Sequence, residues 1–126
     1  MGNIQNTPYI LVVDDDEGNR RFLARVLRLE GFGVQEASDL RTALERVTAT
    51  TPRLVLLDYR LGNDDGLGLV PLLRGRGVAC PVVLVTASLE EALDDGAPQA
   101  GLAGVLAKPF TLDELFETVH RVISRG

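Results

Sequence analysis

Cys80 is the only cysteine in the chain, so no internal disulfide and no cysteine-based metal centre can form. It precedes Pro81 at the entrance of an apolar run, where buried packing is its expected role. No apolar stretch approaches the roughly 20 residues needed to span a bilayer. The opening residues Met1-Gly2-Asn3-Ile4-Gln5-Asn6 lack the charged and apolar regions of a signal peptide and the Ser/Thr of a myristoylation signal. These absences fit the cytoplasm. Basic runs are missing too: twelve arginines are scattered, and the net charge of -5 argues against a direct nucleic-acid surface. Lysine is scarce as well. Lys108 stands alone among thirteen basic residues, in a composition that otherwise favours arginine, so its position looks selected by its site. No Gly-rich loop ending in Lys-Ser/Thr exists for a nucleoside triphosphate.

What is present is enough for one domain. The 126 residues, 45% apolar and 25% charged, match an ordinary globular chain with a single core. Residues 1–8 read as a loose lead-in and 9–126 as one domain. A first strand over Tyr9 to Val13 precedes a helix whose apolar positions are Phe22, Leu23, Val26 and Leu27, closed by Gly31. Gly33 to Ala37 form a short second strand, and Ser38 is placed to cap a helix carrying Leu40, Ala43, Leu44 and Val47. A third strand runs from Leu54 to Asp58, followed by a loop over Gly62 to Gly66. The third helix carries Leu67, Leu69, Val70, Leu72 and Leu73, with Pro71 tolerable in its first turn and Gly75 and Gly77 closing it.

The fourth strand ends at Thr86. Ser88 and Glu91 have capping-box spacing for a fourth helix, which Pro98 should stop near Gly96. After a fifth strand ending at Ala107, the last helix has the fullest signals. Thr111 and Glu114 form its capping box, Phe110 and Leu115 its staple, and Leu115, Phe116, Val119, Val122 and Ile123 its apolar face. Five alternations of strand and helix predict an α/β fold, a parallel sheet with helices on both faces, doubly wound.

The strand ends carry the chemistry. Leu54-Val55-Leu56-Leu57 reads as a strand buried on both faces, yet it runs into Asp58, and a carboxylate is costly there unless paired or near water. Ile10 to Val13 run into Asp14-Asp15-Asp16, Val82 to Val85 into Thr86, and Val105 to Ala107 into Lys108-Pro109. In open α/β sheets, ligands bind outside the carboxyl ends of the strands. Four polar endings therefore converge on one site. His120, the sole histidine, lies beside Val119 on the last helix and reads as a surface residue.

With Val12-Val13-Asp14-Asp15, Leu56-Leu57-Asp58-Tyr59-Arg60-Leu61, Asp65-Gly66, Val85-Thr86-Ala87 and Lys108-Pro109-Phe110 in this order and spacing, the chain resembles the CheY-like receiver domain of two-component response regulators over nearly its full length. The resemblance implies the flavodoxin-like (βα)5 fold with strand order 2-1-3-4-5. It also implies that Asp58 accepts a phosphoryl group from a phosphohistidine on a histidine kinase or histidine phosphotransfer protein. Asp15 and Asp58 would bind Mg²⁺ directly, Asp14 partly through water, and the backbone carbonyl of Arg60 would be a further ligand. Lys108 and Thr86 would hold phosphoryl oxygens, while Arg60 and Ser88 occupy positions where the family tunes phosphate lifetime. Pro109 would follow a cis bond. The face made by the fourth helix, fifth strand and last helix would serve a downstream target or a homodimer.

Elementary electrostatics agrees, since three crowded carboxylates disfavour joint ionisation and an all-oxygen donor set suits a hard cation. Asp16 reads instead as helix lead-in. Two positions depart from the family pattern. Gly62 stands where proline is usual, which predicts a looser loop, and Val105 stands where an aromatic is usual, which removes a ring that could follow Thr86. The chemistry expected is self-phosphorylation and dephosphorylation rather than turnover of a substrate. The alternative, a pseudo-receiver that works by docking alone, would show the loss of an acidic or lysine position, and none is lost. A flavodoxin would need a Ser/Thr/Gly-rich loop in place of Asp14-Asp15-Asp16-Glu17, and a dehalogenase-type phosphatase an aspartate in place of Arg60.

Overall fold

The computed structural model describes residues 8–62 and 64–125. All but Pro8 of the expected lead-in lies outside the described residues. Five strands, β1 (Ile10–Val13), β2 (Val34–Ala37), β3 (Leu54–Asp58), β4 (Val82–Thr86) and β5 (Gly104–Ala107), form one parallel sheet in the order β2-β1-β3-β4-β5. Helices α1 (Glu17–Leu29), α2 (Leu40–Ala49), α3 (Leu69–Gly75), α4 (Leu89–Asp94) and α5 (Leu112–Arg125) connect and follow the strands. The sheet is flavodoxin-like, and β1 and β3 meet at the switch point.

Alternation along the central strands divides the core in two. Ile10, Val12, Leu54, Leu56, Val83 and Val85 pack on one face with Leu23, Leu27, Leu115 and Val119 from α1 and α5. Leu11, Val13, Val55, Leu57, Val82 and Leu84 pack on the other with residues of α2 and α3. Burial on both faces explains why these strands read as unbroken aliphatic runs. Among the described residues, no helix is long and apolar enough to cross a membrane.

Local expectations fare unevenly. The Thr111–Glu114 capping box forms in full, with reciprocal bonds of 3.0 and 3.1 Å. The α-helical part of α4 ends at Asp94, Gly96 takes φ +102°, and Pro98 sits in a 3-10 turn, Ala97–Gln99. Asp39, not Ser38, caps α2, accepting from the Thr42 amide at 2.7 Å. Both neighbours are good caps, and the helix starts one residue later than the pattern suggests. Gly75 is the last residue of α3, and Gly77 follows at φ +77°. Phe22 is 54% exposed rather than in the core. The buried stripe of α1 is Leu23, Ala24 and Leu27; at about 100° per residue, Phe22 lies about 140° from its centre, beside exposed Leu29. The expected loop after β3 contains a small antiparallel ribbon, Arg60–Leu61 against Asp64–Asp65.

Candidate functional site

Parallel register brings the polar endings together. Val13 pairs with Leu57, Asp58 with Val85, and Thr86 with Ala107, so each strand delivers its last side chain to the same edge of the sheet. The ladder continues a residue further. The Asp14 amide donates to Ala37 O at 3.1 Å, the Tyr59 amide to Val85 O at 2.9 Å, and the Lys108 amide to Thr86 O at 2.7 Å. The backbone on either side of the reactive groups is thus fixed by the sheet.

Asp14, Asp15 and Asp58 each present a carboxylate oxygen, and these oxygens lie within 4.8 Å of one another. Asp14 is the most constrained. Its Oδ1 accepts from the Asp16 amide at 2.9 Å, and its carbonyl accepts from Arg20 Nη1 at 3.0 Å, while Arg20 Nε donates to Glu36 at 3.2 Å. Asp15 is exposed, and its Oδ2 accepts from the Gly62 amide at 2.8 Å. Asp58 is nearly buried, and its Oδ1 accepts from Lys108 Nζ at 3.0 Å. Asp16 turns away to cap α1, accepting from the Asn19 amide at 2.9 Å, as its reading as helix lead-in predicts.

The electrostatics follow from this packing. Burial pushes the Asp14 carboxyl up to about 6, assisted by the Asp58 and Asp15 charges and opposed by the Asp16 amide and Lys108. Burial also raises Asp58 above its ordinary value, and the Lys108 hydrogen bond and charge oppose it. One ammonium therefore serves a cluster of three acids. The donor set fits a hard divalent cation, since opposite ligands of a Mg²⁺ ion with bonds of about 2.1 Å are about 4.2 Å apart. The three oxygens, all within 4.8 Å of one another, are near enough for one ion to reach them.

Beside the acids, Asp58, Arg60, Thr86, Ser88 and Lys108 line a cleft of ≈ 120 Å³ with Tyr59 and Ala87. Ligand and cofactor sites usually run to about 300–1,000 Å³, so this one suits a phosphoryl-sized group rather than a flavin or nucleotide. Thr86 is buried, and its Oγ1 accepts from the Ser88 amide at 3.0 Å. That bond uses a lone pair and leaves the hydroxyl proton available to an acceptor in the cleft. Lys108–Pro109 is a cis peptide. His120 pairs with Glu30 at 3.4 Å and packs on Phe32, outside the cleft.

Several contributors are not evident from their residue types. Gly62 adopts φ +61°, and its N–H holds Asp15. A proline has no N–H to give, so this departure adds an anchor as well as freedom. Gly66 passes so close to the end of β3 that a Cβ there would stand 2.2 Å from the Asp58 carbonyl oxygen. The Glu91 side chain does not complete a capping box, because the Ser88 amide goes to Thr86 and the Glu91 carboxylate to Arg60. Tyr59 O–H donates to Asp95.

A family model described as the response regulator receiver domain matches residues 10–120. The chain is 36% identical to the regulatory protein AtoC of Escherichia coli over 90% of its own length and 25% of that protein's. It is 37% identical to the transcriptional regulatory protein PrrA of Mycobacterium leprae, over 95% of this chain and 52% of PrrA. The chain thus spans between a quarter and about half of these curated relatives. Among solved structures, the Thermotoga maritima response regulator TrrA, in complex with Mg²⁺–BeF, superposes with a TM-score of 0.81 at 28% identity, covering 92% of this chain and 99% of that one.

Proposed function

The chain belongs to the response regulator receiver domain family, and from that premise we propose that Asp58 is its phosphoacceptor, taking a phosphoryl group from a phosphohistidine of a histidine kinase or histidine phosphotransfer protein. The observation that carries this reading is the Lys108 ammonium 3.0 Å from the Asp58 carboxylate, in a phosphoryl-sized cleft at the end of the central strand.

The steps belong to the chain's own residues. An Asp58 oxygen attacks phosphorus as the P–N bond to the donor imidazole breaks. The imidazole, protonated on its other nitrogen, leaves neutral, and an acyl phosphate remains on Asp58. Lys108 then holds a phosphoryl oxygen in place of the carboxylate oxygen it now holds. Thr86 donates its unused hydroxyl proton to another. Asp15 and Asp58 would hold Mg²⁺ directly, Asp14 partly through water, with the Arg60 carbonyl as a further ligand. When bound, the cation neutralises the crowded carboxylates and draws charge from the phosphoryl oxygens. Positioning and charge neutralisation supply most of the catalysis. Arg60 and Ser88, flanking the cleft, would set how long the phosphate survives.

Residues 9–126 act as one receiver domain, in the cytoplasm, whose chemistry is confined to its own aspartate. A downstream target or a second copy of the chain would read the changed surface. The test is incubation with Mg²⁺ and a small acyl phosphate, followed by intact mass. One added phosphoryl, stable to acid and lost in alkali, is expected for the wild type and absent from Asp58→Asn. Undiminished labelling of that variant, with no other aspartate labelled, refutes the assignment.

A further inference from the structure

The fourth helix is held to the rest of the protein in an unusual way. It is six residues long, about 9 Å, and Ala92 is its one buried residue. Leu89 and Leu93 are 42% and 47% exposed, so little apolar surface fixes it to the sheet. Polar contacts to the loop after β3 take over that task. At its first turn, Glu91 is paired with the Arg60 guanidinium, and at its C-terminal end Asp95 accepts from Tyr59 O–H. Arg60 lies over the Tyr59 ring, 5.6 Å from its centroid, so the two ties lie side by side. Arg60 also lines the cleft that holds Asp58.

We propose that Arg60 is shared between Glu91 and the phosphoryl site, so that a phosphoryl group on Asp58 draws the guanidinium off Glu91 and frees the first turn of α4. The inference rests on Asp58 as phosphoacceptor. The exchange is favoured by charge: Glu91 offers one negative charge at an exposed position, whereas an aspartyl phosphate offers up to two and several oxygens that suit a planar guanidinium. The pair that must break is weak, because exposed ion pairs contribute little. The Tyr59–Asp95 tie does not face this competition, so it remains while the other opens. The helix then turns about its C-terminal end, and its exposed Leu89 and Leu93 move with it. This route from phosphate to surface needs no aromatic ring on β5, where this chain has Val105. Glu91 is in these terms a positioning residue: it acts on the site only through Arg60.

Two variants separate the proposal from a merely structural role. Both Glu91→Gln and Arg60→Gln remove the tie, so in the resting protein both should move the α4 amide signals, Leu89 to Ala92, towards their positions in the loaded wild type. Their effects on loading should be opposite. With Mg²⁺ and beryllium fluoride as the phosphoryl mimic, Glu91→Gln should bind about two- to fivefold more tightly, since Arg60 no longer leaves a partner. Arg60→Gln should bind more weakly. Glu90→Gln, which removes the same charge from the same helical turn, should match wild type in both respects. Wild-type α4 signals in the resting Glu91→Gln protein, or changes of the same sign in both variants, overturn the proposal. A wild type that loads while its α4 signals stay fixed overturns it alone. A folded wild type that does not load at all overturns the Asp58 assignment as well.

Discussion

Replacing Gly66 by alanine tests whether the position of Asp58 is set by the backbone beneath it. The added Cβ would stand 2.2 Å from the Asp58 carbonyl oxygen and 3.2 Å from that of Tyr59. The first distance must grow by about 1 Å to reach ordinary contact, and the obstacle is main chain, which has no alternative rotamer. Nor can Gly66 retreat easily, because its N–H is bonded to Tyr59 O at 2.6 Å. Asp58 must therefore shift against Lys108 and the two acids that follow β1, Asp14 and Asp15. A misplacement of about 1 Å at a reacting group costs on the order of 10²-fold in rate. Forcing a methyl into filled space costs about 1–3 kcal/mol of stability.

Both quantities are measurable on one preparation: the rate of phosphoryl uptake from a small acyl phosphate by intact mass, and the urea midpoint by circular dichroism. Gly68→Ala is the control, since nothing lies within 4 Å of a Cβ there. It should leave both unchanged. Uptake by Gly66→Ala within a few-fold of wild type would show that the close approach does not position Asp58.

Two other perturbations address charge. Asp14 is raised to about 6 in the folded, metal-free protein, above the 3.8 of an unfolded aspartate. The unfolded chain therefore releases this proton first, and the Asp14 contribution should lower stability as pH rises from about 4 to about 6. With a chelator present, the difference in unfolding free energy between wild type and Asp14→Asn should change across that window. A pH-independent difference refutes it. Lys108→Arg keeps the charge but replaces an ammonium reaching one Asp58 oxygen with a wider planar fork. Phosphoryl uptake should persist at a reduced level while the amide shifts at Thr86 and α4 fail to follow; wild-type shifts in the loaded variant would refute the specific role of the lysine.

Asp58 and Lys108 were legible in the sequence for physical reasons. A carboxylate that ends a four-residue aliphatic run needs an explanation, and a single lysine in an arginine-rich chain implies a constraint. Parallel topology follows from the alternation of elements, and strand-end convergence follows from the topology. The ties of Arg60 to Glu91 and Tyr59 to Asp95 were not legible, because they join residues 31 and 36 positions apart and depend on how a short helix lies on the sheet. Gly66 belongs to a recognisable motif, but its necessity comes from the Asp58 carbonyl above it, which only the folded chain shows. The exposure of Phe22 eluded pattern reading because it adjoins Leu23 and is one turn from Val26, so a broad stripe absorbs it. Two-residue strands such as Arg60–Leu61 carry no periodicity at all.

The site lies where the most and least anchored parts of the fold meet. Asp58, the proposed acceptor, rises from β3, whose apolar residues are all essentially inaccessible and which is bonded on both sides, to β1 and β4. The element across the cleft, α4, has one buried side chain and is shorter than an isolated helix needs to persist in water. On the proposed function, a group that must be held still and a surface that must move sit side by side, and the difference should appear as local stability. The amides of Leu56 and Leu57 should exchange with solvent only on global unfolding. Those of Ala92 and Asp95, although bonded to Ser88 O at 3.1 Å and Glu91 O at 3.0 Å, should open locally with less than about half that free energy. Native-state hydrogen exchange by NMR resolves the two classes. Equal opening free energies for Ala92 and Leu56 would mean that α4 is as firmly held as the core, and that the phosphoryl group could not displace it by drawing off a single weak ion pair.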